Sequence, residues 1–118
     1  GKDYSIIQLD RQVTDRKPLE IARNVKVADD ASLVVIGSPS GLPTKVAASG
    51  KVRSNAHPYF FVTNLDTFQG NSGSAVFNEK TGVVEGILVR GETDYYPNYM
   101  KGCIAVNVCK EDNCRGED

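Results

Sequence analysis

Nowhere in these 118 residues do apolar positions recur at the spacing of a long amphipathic helix; short apolar runs alternate instead with turns rich in Gly and Pro. Residues 4–9 read as a short strand, and 11–23, polar and holding Pro18, as a connecting segment. A turn at 29–32 leads into the apolar run 33–36, a buried strand. The stretch 37–43 carries two Gly and two Pro and reads as a loop, followed by strands at 45–48 and 50–53 about a turn or bulge. Aromatic and β-branched residues make 59–64 a strand. After a loop over 65–74, residues 75–77 pair across a turn at 78–82 with 83–89, forming a hairpin. A long polar loop over 91–102 precedes a last strand at 104–108, and 111–118 form an acidic, solvated end. Short strands between Gly/Pro turns define an all-β chain, an antiparallel barrel or sandwich of one domain.

The bulk numbers narrow the partners. Charged residues make up 25% and the net charge is −1, which gives no electrostatic footprint for nucleic acid or an anionic membrane. No apolar run approaches the ~20 residues that span a bilayer, and the first residues lack a signal-peptide pattern. Three cysteines fall late, and Cys109 with Cys114 leaves room for a small disulfide loop, set against the strain of so short a ring. Cys103 is then buried and inert or paired with a segment beyond this chain. A metal site is disfavoured, because one histidine and no second Cys pair cannot supply a tetrahedral ligand set. Disulfide use favours an exported protein, secreted or periplasmic.

The chemistry concentrates in Gly70-Asn71-Ser72-Gly73-Ser74. A serine hydroxyl attacks a carbonyl only when a base takes its proton and dipoles receive the charge that develops. A glycine two residues ahead lets the backbone turn so that N–H groups aim at one spot. The donors of such an oxyanion hole are the amides of Gly70 and Ser72. The stretch is not Gly-x-Ser-x-Gly, since Ser74 holds the final position, and no strand–elbow–helix pattern follows, which disfavours an α/β-hydrolase.

Residues 69–76 resemble the active-site serine loop of trypsin-like, chymotrypsin-fold serine peptidases, nearest the bacterial branch that includes the glutamyl endopeptidases. Residues 2–9 resemble the family's Asp-x-Ala-x-x-x-Leu strand, and 83–91 the strand that follows the nucleophile; 36–41 and 49–52 match as well, in order, so that the likeness spans most of the chain. The resemblance implies a six-stranded Greek-key β-barrel, the second of the family's two. Residues 1–24 are then the last strand of an absent first barrel with the connection between barrels, and 25–118 the C-terminal barrel. It implies Ser72 as nucleophile, Asp3 as the triad acid, and Val89, Arg90 and Gly91 as the segment that pairs with substrate backbone. Arg90 stands where the family commonly has an aromatic residue. Asn71 replaces the Asp that animal trypsins pair with a freshly cleaved N-terminus, so that activation route is absent or altered. Asp66, six positions before Ser72, matches the carboxylate at the base of the trypsin specificity pocket, with Gly91 and Gly102 as the glycines that keep it open. Thr67 matches a glutamyl endopeptidase feature, but Leu88 stands where those enzymes have a histidine, so basic specificity is favoured over acidic.

The family's histidine precedes the Asp, whereas the chain's single histidine, His57, follows it and reads as a loop residue. The expectation is a serine endopeptidase fragment that acts on polypeptides through an acyl-enzyme, needs no cofactor, lacks the triad base and is inactive alone. The missing barrel is expected as a separate chain or a removed segment, and strand 4–9, without its partners, as disordered, repacked or paired elsewhere. The alternative is a non-catalytic peptide-binding or scaffold module of the same fold; an esterase on the same machinery is a third reading.

Overall fold

A computed structural model of the chain describes residues 3–23, 25–108, 110 and 114–116. Among these residues the chain is all-β apart from a 3-10 turn at Pro39–Gly41. We label the strands β1 (Ser32–Gly37), β2 (Lys45–Ser54), β3 (Val62–Thr63), β4 (Ala75–Asn78), β5 (Val84–Ile87), β6 (Tyr95–Asn98) and β7 (Cys103–Val106). Five of them form one curled antiparallel sheet in the order β3-β2-β1-β4-β5, a half-barrel, and β6 with β7 forms a separate hairpin.

Strand β1 organises the sheet. Its alternate residues Leu33 and Val35 are 0% and 2% exposed, and they anchor a core completed by Val27, Ala31, Leu65, Val76 and Leu88. Alternation of this kind is what a strand covered on one face requires. The two short strands expected around residue 49 are one bent strand, β2. Ser49 adopts φ +63 at the register shift, and the ladder against β1 resumes at Gly50. A Cβ on Gly50 would collide with the Leu65 side chain, so the glycine lets the core close over the bulge. The hairpin β4–β5 turns through Asn78, whose Oδ1 accepts from the amides of Lys80 (3.1 Å) and Thr81 (3.3 Å), while Gly82 takes φ +74.

Three stretches differ from the sequence expectation. Residues 4–9 form no strand: Ile6 and Ile7 are 91% and 77% exposed, and this segment joins no ladder among the described residues. A β-prone sequence stays extended without pairing when no partner edge is in reach. Of the run 59–64, Val62 and Thr63 form β3 against β2, and Asn64 continues the contact, its N donating to Lys51 O at 3.2 Å. The polar loop 91–102 contains β6, which pairs in register with β7 from Tyr95↔Val106 to Asn98↔Cys103. Its Tyr and Asn residues lack the apolar alternation that announces a strand, because the hairpin lies outside the main core. Residues 20–22 fasten the first segment to the sheet through a parallel bridge at Ile21↔Val84, with Ala22 N donating to Val84 O at 2.9 Å.

Candidate active site

Ser72 occupies a turn between β3 and β4. Gly70 and Gly73 on either side adopt φ +96 and φ +88, which side-chain-bearing residues rarely tolerate. A Cβ on Gly70 would lie 3.0 Å from Ser38 O and 3.2 Å from Ser40 N, so the turn is seated directly on the backbone of residues 38–40. The Ser40 amide donates to Gln69 O at 2.6 Å and closes that contact. On the other side Asn71 is 5% exposed, and it lies with Ser74 against Gly37, where any added Cβ would strike both side chains. The loop is therefore clamped between β1 and the 3-10 turn.

The amides of this turn divide into two sets. Asn71 N donates to Phe68 O at 3.1 Å, Gly73 N to Leu88 O at 2.7 Å, and Ser74 N to Asn71 O at 2.9 Å. Those of Gly70 and Ser72 donate to no protein acceptor among the described residues, and both residues are exposed. The Ser72 hydroxyl donates to Val89 O at 3.2 Å. An exposed serine beside two amides that are uncommitted among the described residues carries the donor types that a developing oxyanion calls for.

The β6–β7 hairpin is pinned to this loop by residues the sequence does not single out. Asp94 Oδ2 accepts from Gln69 N at 2.7 Å, one residue before Gly70. Tyr95 places its hydroxyl 2.5 Å from Ser40 Oγ and its ring 5.8 Å from that of Phe68. The Arg115 guanidinium donates to Gly91 O, and the Arg115 amide to Glu92 Oε2 at 3.2 Å. The amides of Thr93 and then Arg115 hold the Glu92 carboxyl below its ordinary value. In sequence these residues look like loop polars, and their only signal is density of hydrogen-bonding groups near the serine motif.

The expected site residues fall into separate places. Asp3, Val89 and Arg90 line an apolar-walled cleft of about 710 Å³ together with Tyr4, His57 and Phe60. Ser72 is not on that wall, and it connects to the cleft through Val89 O. His57 is exposed; its ring stacks on Phe60 at 4.0 Å and its Nδ1 accepts from Tyr59 N at 3.2 Å. Asp66 and Thr67 line a second hollow of about 380 Å³, along with Glu92, Asp94, Arg53 and Lys110. Thr67 is buried and Asp66 exposed. Gly91 abuts that hollow through Glu92, whereas Gly102 sits at φ +60 in the β6–β7 turn with open space around it. Cys103 is exposed and free, and Cys114 is disulfide-bonded; Cys109, the expected partner, lies outside the described residues. No group of His, Cys, Asp and Glu among the described residues could hold a metal ion, and no helix among them is long and apolar enough to cross a membrane.

On a curled antiparallel sheet, a clamped glycine turn ahead of β4 presents this serine. The family profile described as a trypsin-like peptidase domain matches residues 1–87, and the chain belongs to that family. No curated protein and no solved structure matches it.

Proposed function

We propose that this chain is the nucleophile-bearing half of a serine endopeptidase. Ser72 attacks the peptide carbonyl, the amides of Gly70 and Ser72 receive the oxyanion, and the acyl-enzyme is then hydrolysed. The observation that carries this reading is the serine turn itself: an exposed serine between two positive-φ glycines, with the amides of residues 70 and 72 bonded to no acceptor among the described residues while those of 71, 73 and 74 are bonded within the protein. Asp3 acts as the acid that supports a histidine, and the histidine comes from a first barrel held as a separate chain or removed from the same one. His57 does not serve, since its imidazole is engaged with Phe60 and Tyr59. On this reading residues 1–24 are the link to the first barrel and 25–118 the second, a six-stranded Greek-key barrel in the family's bacterial branch near the glutamyl endopeptidases. The open half-barrel and the cleft holding Asp3 support an unfilled neighbour on that side.

Substrate pairs its backbone with residues 89–91 as an added strand. The second hollow carries three carboxylates, Asp66, Glu92 and Asp94, against two cations, Arg53 and Lys110, and this acidic excess supports a basic side chain before the scissile bond, with Thr67 on its wall. Without the histidine, the isolated chain loses the triad's share of the rate, about 10⁴–10⁶. The disulfide at Cys114 supports a secreted or periplasmic setting. The test is fluorophosphonate labelling followed by mass analysis. The chain alone should label slowly or not at all, and the complete gene product should label at Ser72 and lose both label and peptidase activity in Ser72→Ala. Full peptidase activity in Ser72→Ala would refute the assignment.

A further inference from the structure

We infer that Tyr95 is a positioning residue for the Gly70 amide: acting through Ser40, it holds the peptide unit whose N–H receives the oxyanion. This rests on the role of Gly70 proposed above. No peptide bond among the described residues is cis, so the C=O and N–H of each unit point in opposite directions. The Gly70 N–H shares its plane with Gln69 O, and the Ser72 N–H shares its plane with Asn71 O. Both carbonyls are held, and both amides are thereby aimed. Gln69 O accepts from Ser40 N at 2.6 Å, and Asn71 O accepts from Ser74 N at 2.9 Å. The second bond is local to the turn. The first crosses to another segment, and it lasts only while Ser40 keeps its place.

Ser40 adopts φ +51 and ψ +30, a left-handed conformation that a residue with a side chain rarely takes. A contact from outside its own turn opposes that strain: Ser40 Oγ lies 2.5 Å from the Tyr95 hydroxyl. Tyr95 is located in turn by its pairing with Val106 in the β6–β7 ladder and by its ring, 5.8 Å from that of Phe68. Beside it, Asp94 accepts from Gln69 N at 2.7 Å. The hairpin therefore grips residue 69 twice, at its amide directly and at its carbonyl through Ser40. If Ser40 relaxes to negative φ, its amide leaves Gln69 O. The 69–70 unit can then rotate about ψ of Gln69 and φ of Gly70, and glycine tolerates the rotation. A reversed unit turns the Gly70 N–H away from the forming oxyanion and leaves Ser72 N as the one donor of the pair.

The test is NMR of the isotope-labelled chain in a dilute aligned medium, where residual dipolar couplings report the directions of the Gly70 and Ser72 N–H bonds. Tyr95→Phe removes one hydroxyl and keeps the ring. Losing one such hydrogen bond shifts the balance between two orientations by about 2–10-fold. The Gly70 coupling should therefore move toward an averaged value while the Ser72 coupling stays at that of the parent. Adding Ser40→Gly to Tyr95→Phe should bring the Gly70 coupling back, because glycine holds positive φ without help from the hydroxyl. In the complete gene product, Tyr95→Phe should lower kcat by up to about 10-fold and leave KM unchanged, as expected of a donor called on in the transition state. An unchanged Gly70 coupling, or equal changes at Gly70 and Ser72, overturns the positioning role and leaves the oxyanion role of Gly70 standing. A changed Gly70 coupling with unchanged kcat shows that Gly70 is not the oxyanion donor, and the inference falls with that reading.

Discussion

Replacing Gly70 by Ala, and Gly73 by Ala beside it, separates two costs that the serine turn combines. Both glycines hold positive φ, +96 and +88, so each alanine stores backbone strain of about 1–2 kcal/mol. Only at Gly70 does the new methyl meet backbone, 3.0 Å from Ser38 O and 3.2 Å from Ser40 N, whereas nothing lies within 4 Å at Gly73. Backbone cannot rotate away as a flexible side chain can, so the 3-10 turn must shift by a few tenths of an ångström, an overpacking cost of about 1–2 kcal/mol more. The expectation is a loss of roughly 1–2 kcal/mol for Gly73→Ala and 2–4 kcal/mol for Gly70→Ala. At about 4 °C per kcal/mol for a domain of this size, the second variant should melt some 4–8 °C below the first. Urea titrations of the two variants and the parent give the free energies, and NMR of the Ser40 amide, which donates to Gln69 O, reports the shift of the turn. A Gly70→Ala variant no less stable than Gly73→Ala would refute the argument that the loop is clamped on residues 38–40.

Three further outcomes follow from the same contacts. Asp94→Ala removes the acceptor of the Gln69 amide and should destabilise the chain by about 1–2 kcal/mol, with faster hydrogen exchange at Gln69; unchanged exchange there contradicts the pin. Glu92 has a depressed carboxyl, so its contribution is in full force above the ordinary glutamate range and fades as pH falls through its lowered value. The Arg115 amide should therefore exchange faster only below that ordinary range, and protection that is flat into acid disproves the link. Cys103 is exposed and free, and a thiol reagent should modify it without denaturant, leaving the unfolding free energy within ~0.5 kcal/mol of the parent; no labelling of the folded chain at Cys103 would place its sulfur in the interior.

What could be seen in the sequence depended on whether a residue's role is local. Strand β1 declares itself because the unbroken apolar run 33–36 marks a buried strand, though not that Leu33 and Val35 are its inward residues, and the β4–β5 turn does because Asn78 and Gly82 carry its geometry themselves. The serine turn was legible for the same reason: positive φ selects glycine whatever the neighbours do. Asp94, Tyr95 and Arg115 were not, since each acts on a residue far along the chain and its own surroundings carry no periodic pattern. Segment 4–9 misled because β-propensity describes fitness for a ladder but does not supply one. The bent β2 lay between, its bulge readable from Gly50 but its continuity settled only by pairing to β1.

At rest, the hydroxyl of Ser72 donates to the carbonyl of Val89. On the function proposed above, a substrate strand that takes Val89 O would evict the serine and set its oxygen free to rotate toward the newcomer, so that arrival and arming are one event.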